Sequence, residues 1–250
     1  MGQIRTIDLV KVLLRSFYIQ STWNAERLLG LGFCFCLIPI ARRLFSDKHA
    51  LVDFLQRHLD FFNSHPYMAT YALGAIANIE EQAITKNWED KRPISVFKTR
   101  VIGPLGAIGD TLFWQLIRPA LGLIAVVLLY FIGIGGTVIY FILYNFFHLG
   151  VRINGLFDSY SKGFDIVRDL SLRGTQKYFD ILKYICASFL GAELVIIMSK
   201  IVHETSSWKG LFVFALAAMV SYLLVRRRKI TIDLLIVIIV CSSIIIGMII

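Results

Sequence analysis

Apolar stretches of unequal length alternate with short polar breaks along this chain. Ile7, Val10, Leu14 and Phe17 recur at helical spacing, with Asp8, Lys11 and Arg15 on another face. Residues 1–20 therefore read as an amphipathic helix that lies at an interface or packs on a protein partner, without spanning. Leu28–Ala41 is apolar but short and carries Gly30, Gly32 and Pro39; a simple span needs about 20 residues, so a re-entrant or packed segment is expected. Leu51–Phe62 is a mixed helix. Pro66 disfavours helix at His65 and suits the first turn of a new one. The next segment, Tyr67–Ile84, is rich in Ala and Gly, which lets helix backbones approach closely in a membrane. Thr85–Arg100 reads as a polar, basic loop.

The run Gly103-Pro-Leu-Gly-Ala-Ile-Gly-Asp-Thr-Leu-Phe-Trp114 opens an apolar region that continues almost unbroken to Phe147. Its glycines and proline predict a helix break, with Asp110 just after it. Irregular backbone at membrane depth is tolerated where it is buried in protein or lines a watery cavity, and an ionisable group there is a functional-site candidate. A second cluster, Ile132-Gly-Ile-Gly-Gly136, marks a second break or a tight turn. Residues 152–179 read as a polar loop or hairpin and Tyr184–Ile201 as a span. Leu211–Val225 and Ile230–Ile250 follow, split by Arg226, Arg227, Arg228 and Lys229. The pattern predicts an all-α, polytopic integral membrane bundle with broken or re-entrant segments and an amphipathic N-terminal helix. It is one domain over residues 1–250: interfacial helix 1–20, broken-helix core 21–150, cytoplasmic loop 151–180, and C-terminal transmembrane helices 181–250.

Composition agrees. The chain is 57% hydrophobic and 17% charged, with mean hydropathy +0.69, against roughly 45–50% and about 25% for soluble domains. The net charge of +9 sits at the ends of apolar runs, as the positive-inside rule expects, and makes no aromatic-interleaved basic stripe; a nucleic-acid partner is excluded. That rule places Arg226–Lys229 and the loop holding Lys162, Arg168, Arg173 and Lys177 in the cytoplasm. Cys34, Cys36, Cys186 and Cys241 lie in apolar segments without Cys-x-x-Cys spacing and read as small buried hydrophobes. Met1–Gln20 holds no uninterrupted apolar stretch of the signal-peptide kind.

No Gly-x-x-x-x-Gly-Lys phosphate loop, His-Glu-x-x-His or serine-hydrolase spacing occurs. The chain is read as a non-catalytic component without cofactor or metal. The five histidines are scattered and read as structural. Glu80 and Glu81 either end a helix in solvent or point inward at a polar ligand. Asp110 either caps a helix starting near Thr111 or faces a ligand. Carboxylates and amides suit vicinal hydroxyls, so Asn63, His65, Glu81 and Asp110 form a candidate polyol-binding set, with Phe62, Tyr67 and Trp114 as aromatic neighbours.

Several landmarks occur together: Ser21-Thr-Trp-Asn-Ala-Glu-Arg27, Arg57-His-Leu59, Phe61-Phe-Asn-Ser-His-Pro66, Glu80-Glu81, Lys98, Gly103-Pro-Leu105, Gly109-Asp110, Phe113-Trp114, Arg118-Pro119 and Tyr160-Ser-Lys-Gly163. In this order the chain resembles, over essentially its whole length, the IID component of the mannose/fructose/sorbose family of the bacterial phosphoenolpyruvate:sugar phosphotransferase system. Family members usually read Gly-Pro-Leu-Ala-Gly-Ile-Gly-Asp, whereas Gly106-Ala107 reverses the middle pair here. The resemblance implies a multi-pass subunit of the bacterial inner membrane, in contact with membrane lipid. With a IIC partner it imports a hexose or amino sugar, which soluble IIA and IIB domains phosphorylate; the IID subunit is not itself phosphorylated. Two alternatives remain at this point: a scaffold for IIC that touches no sugar, and a membrane-embedded enzyme using Asp110 and Glu81 as acid and base.

Overall fold

The computed structural model describes residues 3–170, 172–205 and 219. Every regular element among them is helical: α1 (Thr6–Ser16), α2 (Gly30–Leu44), α3 (Lys48–Leu59), α4 (Ala69–Thr85), α5 (Arg92–Gly109), a π-helical stretch (Asp110–Ile117), α6 (Arg118–Ile132), α7 (Ile134–Lys162), a 3₁₀ turn (Gly163–Asp165), α8 (Ile166–Asp169) and α9 (Leu172–Thr205). The chain divides into two compact units, residues 1–190 and 191–250. The first holds the core and everything below; the described stretch 191–205 of the second is helix.

The core forms where short apolar helices pack side by side. α2 is no lone span: Phe33, Cys36, Leu37 and Ile40 are wholly buried, and Cys34 and Cys36 are free buried thiols. Asp47 starts α3 by accepting the Ala50 N–H at 2.9 Å, the usual N-cap bond. α4, with 17 residues, is lined with buried alanines and packs on α7. A Cβ on Gly74 would collide with the Leu156 carbonyl and Ser159 Oγ, so the small residues set this approach. α1 turns Leu9, Val12 and Ser16 inward against α2. The stripe that made it amphipathic in the sequence stays outside, with Ile7 and Leu14 more than half exposed.

Two expected irregularities differ. The Gly/Pro run does not break the chain: Arg92–Ile132 is 41 residues of continuous helix. Gly109 (φ −66°, ψ −44°) and Asp110 (φ −63°, ψ −43°) keep helical dihedrals. The irregularity is taken up as the wider π turns after Gly109, a form that recurs at functional sites. Helix also begins at Arg92, inside the stretch read as loop. The second cluster does turn: Gly133 has φ +61°, a value that favours glycine, and α7 folds back on α6. Phe113, Ile117 and Leu121 meet Tyr140, Leu143 and Tyr144 there.

Arg92–Ile132 and Ile134–Asp169, 41 and 36 residues, both exceed the roughly 20 residues a span requires. Their outer faces are apolar and open, Ile134 being 80% exposed. α7 and α8 also carry helix through most of 152–169, where a polar loop was expected, because Leu156, Ser159 and Ile166 are buried against the core. The expected spans after 205 and the basic turn Arg226–Lys229 lie outside the described residues.

Candidate functional site: a polar cleft beside the π-helical stretch

Phe62 and Pro66 anchor the connection between α3 and α4. Phe62 is fully buried, 4.2 Å from the Phe33 ring, and its carbonyl accepts the Leu29 N–H at 2.9 Å. Buried Lys98 donates from Nζ to the carbonyls of His58 (3.1 Å) and Asp60 (3.0 Å). Pinned at both sides, Asn63, Ser64 and His65 face Asp110 and Trp114 across a cleft of about 230 Å³, completed by Gln20 and Trp23. Gly106 leaves one wall without a side chain.

His65 is 2% exposed and stacks on Phe113, with ring centroids 5.1 Å apart. Gly109 makes this possible, because a Cβ there would strike the His65 side chain. Nδ1 accepts the Tyr67 N–H at 3.3 Å, which assigns the proton to Nε2. Burial, helped by the Arg152 and His148 charges, pushes the imidazole down to about 4. His65 is thus a neutral donor. Among the described residues Nε2 has no partner, and neither does the buried Ser64 Oγ. Buried polar atoms are nearly always paired, so two unpaired ones at one cleft mark a place for a ligand or water.

Asp110 and Asn63 are exposed on the cleft rim. Asp110 is not an N-cap: the helix runs through it, its N–H bonding back to Gly106 and Ala107. Its carboxylate has no hydrogen-bond or ion-pair partner among the described residues, in contrast to the carboxylates of α4.

The structure does not bring Glu81 to the cleft. Its carboxylate accepts the Ile4 N–H at 2.7 Å and the Tyr160 hydroxyl at 2.6 Å, tying the N-terminal arm and α7 to α4. It borders a larger hollow of about 580 Å³, but both its oxygens are engaged. Glu80 is not at a solvated helix end either. It is fully buried, taking Arg57 Nε and Nη2 at 2.9 and 3.1 Å and His58 Nε2 at 2.8 Å. Burial alone would raise its carboxyl, but His58 and Arg57 hold it below the usual range. The proposed set therefore divides into Asn63, His65 and Asp110 at the cleft and Glu81 in a structural tie. Gln20 and Trp23 were not among the residues expected there; Trp23 stood only in the Ser21–Arg27 motif, and Gln20 gave no signal.

Two membrane-length helices folded as a hairpin, with a polar cleft built against one of them, define a helical membrane protein with a candidate polar binding site. Residues 3–250 match the PTS system mannose/fructose/sorbose family IID component, and the chain belongs to that family. It is 37% identical over 164 residues to the PTS system mannose-specific EIID component of Escherichia coli K12, covering 65% of this chain and 58% of that protein. It is 32% identical over 170 residues to the fructose permease IID component of Bacillus subtilis 168, covering 68% and 62%. The chain thus spans about three fifths of these relatives. A structure of the mannose transporter ManYZ with microcin E492 (MceA) superposes with TM-score 0.63 at 34% identity, covering 77% of this chain and 70% of that one. Another membrane protein structure gives 0.76 at 28% identity, covering 99% and 96%.

Proposed function

We propose that the chain is the sugar-contacting IID subunit of a phosphotransferase permease. With a IIC partner in the bacterial inner membrane it imports a hexose or amino sugar that IIA and IIB phosphorylate. The observation that carries the sugar contact is the pair of buried atoms, His65 Nε2 and Ser64 Oγ, that have no partner among the described residues and share one cleft with the exposed polar side chains of Asn63 and Asp110. His65 Nε2–H is a donor, Asp110 an acceptor, and Asn63 both, a mixture that fits the vicinal hydroxyls of a neutral sugar. Trp23 and Trp114 supply apolar faces. No step of the chemistry falls to this chain: its role is to bind and orient, and the phosphoryl group is relayed by the soluble domains. The open apolar hairpin supports a membrane-embedded partner.

Radiolabelled sugar uptake in cells carrying the full system tests this, with membrane levels of both subunits followed by immunoblot. Asp110→Ala and Asn63→Ala are each expected to lower uptake about tenfold or more, since an unmade hydrogen bond to a buried ligand costs about 1–3 kcal/mol. Asp110→Asn retains part of it, because an amide still accepts from a hydroxyl. Full uptake by both alanine variants at normal subunit levels would leave only the scaffold reading.

A further inference from the structure

The groove between α1 and α2 lies apart from the sugar cleft. Lys11, Arg15, Arg42 and Arg43 line a hollow of about 290 Å³ with a single carboxylate, Asp8. That carboxylate is already spent: Oδ2 accepts the Arg5 N–H at 3.1 Å and pairs with Arg43 Nε at 3.6 Å. Arg15 bonds the Phe35 carbonyl and lies 4.6 Å over the Phe35 ring, which positions its guanidinium without neutralising it. Lys11 and Arg42 are exposed and have no ion-pair partner among the described residues. Fixed like charges in a groove repel one another unless an anion joins them.

The neighbouring face of α1 says which anion. At 100° per residue, Lys11 and Arg15 lie next to the stripe Ile7, Leu14 and Phe17, which is 53%, 59% and 44% exposed. An apolar stripe flanked by basic residues is the pattern of a helix lying in the membrane interface, and basic pockets beside membrane helices hold anionic head groups. We infer that this groove binds the phosphate of an anionic phospholipid, with the α1 stripe resting among its acyl chains. The protein context supplies the lipid, since two membrane-length helices belong to the same unit. The inference is independent of the sugar cleft, which shares no residue with the groove.

The test is a titration of the full chain, purified from membranes in mild detergent, with fluorescent-tailed phosphatidylglycerol and with phosphatidylcholine of the same tails. Phosphatidylglycerol should bind at least tenfold tighter. Lys11→Gln and Arg42→Gln should each weaken it about fivefold and leave phosphatidylcholine unchanged. Both side chains are exposed, so folding is not at stake. Lys48→Gln, an equal charge change on α3, should have no effect, and Leu14→Ser should weaken both lipids. Equal affinity for the two lipids, or unchanged phosphatidylglycerol binding in the two groove variants, would overturn the proposal. Displacement of phosphatidylglycerol by low-millimolar inorganic phosphate would reassign the groove to a free anion and overturn it too.

Discussion

His65 concentrates the physics of the cleft in one side chain. Its neutrality is enforced chiefly by burial, with the Arg152 charge nearby, so protonating it acts against the fold. The folded imidazole titrates near 4 against 6.5 for the free group. The unfolded chain therefore takes up the proton first, so this contribution is full above about pH 6.5 and is lost as pH falls toward 4. His58, also lowered by burial, acts in the same direction. Glu80 is lowered by its partners, so its contribution is present above the ordinary carboxylate range and is lost as pH falls through its lowered folded value. The melting temperature should decline steadily from pH 6.5 to 4, and His65→Gln should flatten the upper part of that decline. An unchanged profile in His65→Gln would mean that the imidazole does not stay neutral. That Asn63, His65 and Asp110 share one cleft was foreshadowed by the turn signal and the Gly/Pro run that flank them. Glu81 lies outside that cleft, because sequence shows that a carboxylate needs a partner, not that a backbone N–H seventy-seven residues away supplies it.

Among the elements, helix existence was legible wherever apolar spacing was strong, as in α1, α2, α4 and the α6–α7 hairpin. Continuity was not. Gly103 and Pro104 look like a break because each is unfavourable in an isolated helix. Tertiary packing of Val101, Leu105 and Ile108 carries the helix through them, and the helix widens into π turns from Asp110. The glycines of this region also look alike in sequence yet do different things. A Cβ on Gly103 meets nothing within 4 Å, whereas one on Gly109 meets His65 and one on Gly74 meets α7. Gly103→Ala should be neutral or stabilising by up to about 1 kcal/mol. Gly109→Ala should keep the protein in the membrane but cut sugar uptake sharply by displacing His65, while Gly74→Ala should lower the amount of folded protein. Thermal melts paired with uptake separate the three, and similar behaviour of all three would refute the packing assigned here.

Across the molecule, the membrane class was legible from composition, and the glycine cluster marked a break or turn where the hairpin reverses at Gly133. The helical run through 152–169 was not, because its polar residues are surface positions of a helix whose other side is buried. The family is that of the PTS IID components, and the proposed function places a sugar in the cleft. Their junction is tested most directly by sugar binding to the purified complex, read from tryptophan fluorescence across a panel of hexoses and amino sugars. A sugar that binds should change the emission of the wild type, and the change should shrink in Trp114→Phe and Trp23→Phe. Asp110→Ala should weaken that sugar's affinity about tenfold or more, while Glu81→Gln, in a folded complex, should leave it within about twofold, since Glu81 stands outside the cleft. Wild-type affinity in Asp110→Ala and Asn63→Ala, or loss of binding in Glu81→Gln alone, would contradict the account and move the sugar elsewhere in the complex.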